Sequence, residues 1–245
     1  RYNKQDCYGI YGNARAVYNT LLGGAGIRYI SSDANGKYTF TLAADEEAIG
    51  YMEKIIADNA RYPHLFFNTA SMVYDITPEG LFENGQALFH VQGMPHTIEQ
   101  LREMEDDFGI LPLPKRDETQ SRYYSSTYGA TVCGLPHTLS VKRFDNIGIL
   151  LEEITRLTYT DIVPQYKEVL LKSKYSRDTG SADMLDIVFN NLFFDPGIVL
   201  WSGPLSDKIV QNVFMKNSTA VVSYLTTIEP VANSLITEFN SAIAE

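Results

Sequence analysis

Short β-prone runs and amphipathic helical runs follow one another along the whole chain, many of them closed by a glycine, a proline or an Asx-Gly turn. This alternation limits the fold more than any other feature, because strands interleaved with helices predict an α/β class chain. Residues 7–10 read as a strand, Gly12 and Asn13 as a polar turn, and the next stretch as a helix stopped by Gly23, Gly24 and Gly26. Asp33-Ala34-Asn35-Gly36, between runs rich in Tyr, Ile, Thr and Phe, predicts a hairpin turning at Asn35-Gly36. Asp45-Glu46-Glu47 marks a helix N-terminus, with Ile49, Met52, Ile55, Ile56 and Ala60 on one face, and predicts a helix over 46–59.

A second helical stretch precedes Gly80, and Glu83-Asn84-Gly85-Gln86 turns the chain into a strand over 87–92. The run then breaks at Gly93-Met94-Pro95, after which Ile98, Leu101 and Met104 resume helical spacing. "DFGILPLPKRDE" reads as a short buried strand closed by Pro112 and Pro114, and "YYSSTYGATVCGLPHTLS" as another strand run. Ile147, Leu150, Leu151, Ile154 and Leu157 predict a helix. Further helices start near Pro164, near Ser181 (covering 182–192) and near Ser206, and an amphipathic tail carries Leu235, Ile236, Phe239 and Ile243. No internal repeat or low-complexity tract interrupts this order.

Composition narrows the function classes. A chain of 245 residues, 44% hydrophobic, can fill one or two cores. Its formal net charge of −10 repels phosphate backbones and anionic lipid headgroups, which argues against nucleic acid as a partner. No apolar run approaches the roughly 20 residues that cross a bilayer. The first residues carry neither an initiator Met nor a signal-peptide core, so a processed chain or a fragment is expected. Cys7 and Cys133 have no CxxC partner and read as buried, reduced thiols far apart. The histidines His64, His90, His96 and His137 fit no metal template, and no cofactor is expected.

Candidate chemistry is sparse. No GxSxG, Walker loop or dinucleotide fingerprint occurs, and Gly23-Gly24-Ala25-Gly26 follows a helix instead of opening one, which suits a C-cap better than a phosphate loop. Asp106-Asp107 and Asp45-Glu46-Glu47 read as solvated helix-end charges. Aromatics are the enriched resource, with sixteen Tyr, twelve Phe and one Trp. Trp201, between Pro196-Gly197 and Gly203-Pro204, stands out as a loop aromatic able to stack on a flat polar ligand.

Taken in order, "DANGKYTFTLAADEEAIGYMEKI", "LFENGQALFHVQG", "DFGILPLPK", "YGATVCGLPHTLS" and "LKSKYSRDTGSADMLDIV" resemble the extracellular solute-binding proteins of ABC importers, the family 1 type that includes maltose-binding protein, in a Gram-positive lipoprotein branch. The resemblance spans nearly all of the chain. It implies a periplasmic-binding-protein-like (type II) lobe, a mixed sheet flanked by helices, with the N-terminal lobe largely missing. Residues 1–127 and 178–245 would form the C-terminal lobe, and 128–177 a section that normally returns to the N-terminal lobe. It further implies no enzymatic activity, a small polar solute as ligand with a sugar or oligosaccharide foremost, delivery to ABC permease subunits, a monomer, and a cell-surface location through a lipid-modified N-terminus absent from this chain. The turn at Gln92-Gly93-Met94-Pro95 would face the ligand, with Tyr11, Asn13 and Arg15 on a neighbouring cleft loop; Trp201, singled out as a loop aromatic, is a further candidate ligand contact. Met94 and Pro95 stand where sugar binders often present an aromatic. The competing readings are a carbohydrate-processing hydrolase drawing its acids from Asp6, Asp75 or Asp195, and a binder of peptides or other non-sugar solutes on the same fold.

Overall fold

The computed structural model describes residues 6–62, 66–67, 78–93, 100–127, 134–136, 138–172 and 180–243. Strand β1 (Tyr8–Tyr11) leads into helix α1 (Ala14–Gly24), a hairpin β2 (Ile30–Ser32) and β3 (Tyr38–Phe40), helix α2 (Glu46–Arg61), strand β4 (Phe66–Phe67), helix α3 (Pro78–Glu83) and strand β5 (Ala87–His90). After β6 (Ser125–Ser126) come α4 (Val141–Leu157), a π-helical turn (Thr158–Ile162), α5 (Val163–Lys172), α6 (Gly180–Asn190), β7 (Leu192–Phe193) and α7 (Pro196–Val199). A wound stretch over 202–214 then precedes the last helix, α8 (Val221–Ile243).

The mixed α/β class stands, but the sheet differs from expectation. Its three strands, in the order β4-β1-β5, are all parallel, while the antiparallel β2–β3 hairpin and the parallel β6–β7 pair are separate. Crossover through α1, α2 and α3 is what makes neighbouring strands parallel. The hairpin turns where expected: Asp33 Oδ1 accepts from the N–H groups of Asn35 and Lys37, and Gly36 takes φ of 79°. Helix α2 is capped by Asp45, whose Oδ1 accepts from Ala48 N at 2.9 Å. It runs on to Arg61, two residues past the predicted end. Its buried face takes Asn59 in place of Ala60, because Asn59 donates to Asn217 Oδ1 at 2.6 Å.

Other expectations fail for identifiable reasons. Residues 107–115 form no strand; Pro112 and Pro114 lack the N–H a ladder needs, and Leu111 remains 63% exposed. Among the described residues of the next run, Ser125–Ser126 pair as a strand, and residues 128–133, Cys133 included, lie outside the described residues. Cys7 is an exposed free thiol, where burial was expected. Helix α6 starts at Gly180 and yields at Asn190, because Leu192 and Phe193 pair with β6. Helix α8 begins at Val221, well before the predicted tail, and buries Val221, Leu225, Ile228, Ala232 and Ile236 along one stripe. Of Gly23, Gly24 and Gly26 at the end of α1, Gly26 alone takes positive φ (75°). Gly23 lies inside the last turn because a Cβ there would meet Ser126 Cβ at 2.7 Å.

One apolar core joins α1, the hairpin, α2, the 196–214 segment and α8. Tyr18 stacks on Phe214 with centroids 4.5 Å apart. The core is cross-linked by a buried polar knot. Tyr29 N donates to Asp195 Oδ2 at 2.6 Å, Gly197 N to Asp195 Oδ1 at 2.8 Å, and Tyr29 OH to Asn19 Oδ1 at 2.7 Å. The backbones meet so closely that a Cβ on Gly197 would stand 2.6 Å from Tyr29 Cβ. Helix α4 is the opposite case. None of its residues is buried, and Phe144, Ile149, Leu150 and Ile154 are exposed.

Burial raises the Asp195 carboxyl to about 6, against the pull of the backbone N–H groups that it accepts. A raised acid is least unfavourable at low pH: its contribution is intact below the unfolded value near 3.8 and is lost as pH climbs through about 6. Asp195→Ala, which strands two buried N–H donors, is expected to cost about 1–3 kcal/mol at pH 7. In denaturant titrations the gap from wild type should widen by about 2 kcal/mol on going from pH 7 to pH 4. A gap that narrows on acidification would show that the charged form is the favoured one in the core.

Candidate functional site

Parallel pairing sets the site. His90 of β5 lies opposite Tyr11 of β1, and Val91 N continues the ladder by donating to Tyr11 O at 3.1 Å. The turn after β1 (Gly12-Asn13) and the turn after β5 (Gln92-Gly93) therefore emerge side by side at the carboxyl ends of the strands, where open α/β sheets present their ligand crevices. Gly12 makes this possible. A Cβ there would lie 2.9 Å from Val91 O and 2.8 Å from Val17 Cγ2, whereas a Cβ on Gly93 would meet open space. The close backbone approach at this rim is therefore made by Gly12 and not by Gly93.

The proposed cleft residues occupy this end in different ways. Tyr11 is 1% exposed, its ring 5.5 Å from that of Tyr8, and forms the floor of the turn. Asn13 caps α1, its Oδ1 accepting from Arg15 N at 3.0 Å. Arg15 is half-exposed, and its Nε pairs with Asp207 Oδ1 at 2.8 Å. Burial raises the Asp207 carboxyl and the Arg15 charge opposes that rise. Gln92 Oε1 accepts from Gly93 N at 2.9 Å. Met94 and Pro95 lie outside the described residues.

Trp201 is placed by another set of contacts. It is half-buried against the main core, edge-on to Phe239 at 5.5 Å, and Phe239 in turn meets Tyr38 edge-on at 5.4 Å. Tyr11, Asn13, Arg15 and Gln92 thus share one rim, while Trp201 belongs to an aromatic string leading to α8. Asp207, which ties the 202–214 stretch to that rim, was not singled out from sequence; nothing local separates it from other surface acids.

Of the candidate hydrolase acids, two fall among the described residues. Asp195 is 2% exposed and caps α7 from within the core. The Asp6 backbone carbonyl accepts from Gln86 Nε2 at 3.3 Å, and Asp75 lies outside the described residues. Among the described residues no group of three His, Cys, Asp or Glu side chains is placed to hold a metal ion, and no helix is long and apolar enough to cross a membrane.

From Gln92 and Gly93 a cavity of about 810 Å³ extends along α1, β5, residues 108–114, α5 and α6. The apolar run that failed to become a strand supplies one of its walls. No protein-family model matches the chain, and comparisons with curated proteins and with solved structures find no significant match.

The two glycines give a paired test of the turn geometry. Gly12→Ala should lower stability by about 1–3 kcal/mol, since backbone and a branched side chain must both yield. Gly93→Ala should stay within about 0.5 kcal/mol of wild type. Thermal melts of both variants check this, and equal effects would contradict the close approach at Gly12.

Proposed function

We propose that the chain is the second-lobe portion of a solute-binding component of an ABC importer, capturing a small polar solute, foremost a sugar or oligosaccharide, between two lobes for delivery to a membrane permease. The observation that carries this reading is the pairing of the Gly12-Asn13 and Gln92-Gly93 turns at the carboxyl ends of parallel strands. That is the position from which one half of a divided α/β protein presents ligand-binding groups. Asn13, Arg15 and Gln92 supply hydrogen-bonding groups there.

A second observation supports the missing partner body. Helix α4 presents Phe144, Ile149, Leu150, Ile154 and Leu157 to solvent along one continuous helix. Such a face is uneconomical in a finished domain and normal where another body packs on it. In this reading the first lobe covers it, residues 128–177 being the section that returns there. Closure of the two lobes about the hinge would signal occupancy to the permease, without chemistry or cofactor. Anchoring at the cell surface through a lipid-modified N-terminus completes the proposal.

The test is calorimetry on this chain and on the two-lobed protein that contains it, with sugars and short peptides. One lobe leaves half the ligand in water, so affinity should fall from about 1 μM in the two-lobed form to the millimolar range in the chain alone. Gln92→Ala in the two-lobed form should weaken binding by about 1–3 kcal/mol. Micromolar sugar binding by the chain alone, or steady glycoside hydrolysis abolished by a single acid substitution, would overturn the reading.

A further inference from the structure

The cavity beside the candidate rim has a chemistry that the capture of sugars does not account for. At about 810 Å³ it lies within the range of pockets that enclose a drug-sized molecule. Its walls come from Ala16 and Leu21 of α1, Leu88 to His90 of β5 with Val91 after it, Phe108 to Pro114, and Val188 and Phe189 of α6. Among the described lining residues there is no Asp, Glu, Lys or Arg. A charged ligand would therefore lose its hydration among walls whose titratable side chains, of the described residues, are His90 and Tyr166, with no permanently charged group to replace it. A sugar, with a hydroxyl on nearly every carbon, would face walls that are mostly Leu, Ile, Val, Phe and Pro.

The polar side chains among the described lining residues are Thr20, His90, Gln92, Ser125, Ser126 and Tyr166, and the hydroxyls of Ser125 and Tyr166 have no hydrogen-bond partner among the described residues. Ser125 is 6% exposed, and its Oγ is buried with no hydrogen bond. Tyr166 OH is likewise buried and unpartnered. Thr20 is different, its hydroxyl already donating to Ala16 O at 2.6 Å. A buried hydroxyl without a partner is costly, and a bound group that exchanges a hydrogen bond with it removes that cost.

We propose that this cavity is a binding site for an uncharged, predominantly apolar small molecule bearing a hydroxyl or carbonyl group, which Ser125 and Tyr166 hydrogen-bond while the Leu, Val and Phe walls enclose its hydrocarbon. The site lies wholly within this chain and does not depend on the two-lobe reading. Failure of one leaves the other testable, since sugar affinity reports on the rim and apolar affinity on the cavity.

Fluorescence titration of the chain with Nile red, a neutral probe that brightens in apolar surroundings, tests the proposal together with displacement by 1-dodecanol. One saturable site per chain is expected, emptied by dodecanol and unaffected by maltotriose. Val188→Trp, which fills the cavity from α6, should weaken the probe at least tenfold; Leu88→Trp, on the exposed edge of β5, is a second occluding variant should the first fail to fold. The exposed α4 face could also attract the probe, so Phe144→Glu combined with Ile149→Glu and Leu150→Glu is the control, and it should leave affinity unchanged. Ser125→Ala should weaken dodecanol about threefold to tenfold while leaving displacement by dodecane unchanged. Non-saturable binding, binding lost in the α4 variant but kept in both occluded variants, or equal effects of Ser125→Ala on dodecanol and dodecane would overturn the proposal.

Discussion

A single buried carboxylate holds the two ends of this chain together. Asp195 accepts from Tyr29 N and Gly197 N, and so fixes the segment between α1 and the hairpin against the start of α7, 166 residues away. Loop closure over such a length is entropically unfavourable, yet it grows only slowly with length, so a short, well-satisfied knot can hold it. Burial penalises the charge on Asp195. The carboxylate survives because the alternative is two backbone donors left without partners inside the core. Once the knot is tied, the 202–214 stretch reaches α1, Arg15 meets Asp207, and α8 lies along the hairpin with Asn240 bonded to both N–H and C=O of Tyr38.

What could be read from sequence followed from local chemistry. The Asn35-Gly36 turn, the Asp45 cap with its acidic first turn and the apolar face of α4 are written within a few residues of where they act. Each formed as expected. What escaped depends on residues far apart. Nothing near Asp195 distinguishes a core cap from a catalytic acid, and Asn59 is buried only because Asn217 comes back to meet it. "DFGILPLP" looks like a strand because it is apolar; no neighbour pairs with it, and its side chains line a cavity instead.

The candidate rim shows the same division. The Gly93 break was visible, and its neighbourhood does sit at the strand ends. The glycine whose missing Cβ lets the two turns approach is Gly12, identified only when Val91 O is seen 2.9 Å from where that atom would stand. Trp201 was attractive as an exposed loop aromatic. Proline and glycine on either side suggested a loop, but the stretch winds helically and turns the indole against Phe239. An aromatic between turn residues is exposed only if no later element returns to cover it, and α8 does return.

Among the described residues two apolar surfaces stay uncovered, and their shapes call for different occupants. The face of α4 is convex, so a small molecule lying on it would keep one side in water; only a body large enough to pack along several helical turns can desolvate it. The cavity between α1, β5 and α6 is concave and already surrounds whatever enters, so a small molecule can lose most of its exposed surface there without help from a second protein. The same hydrophobic driving force thus underlies both proposals, a protein partner at one place and a small apolar ligand at the other. The unpartnered hydroxyl of Ser125 sharpens the contrast. A dry apolar cavity needs no polar group, whereas this one carries, among the described residues, the buried and unpartnered hydroxyls of Ser125 and Tyr166 beside Leu, Val and Phe walls. A neutral ligand with one hydrogen-bonding group meets both demands at once.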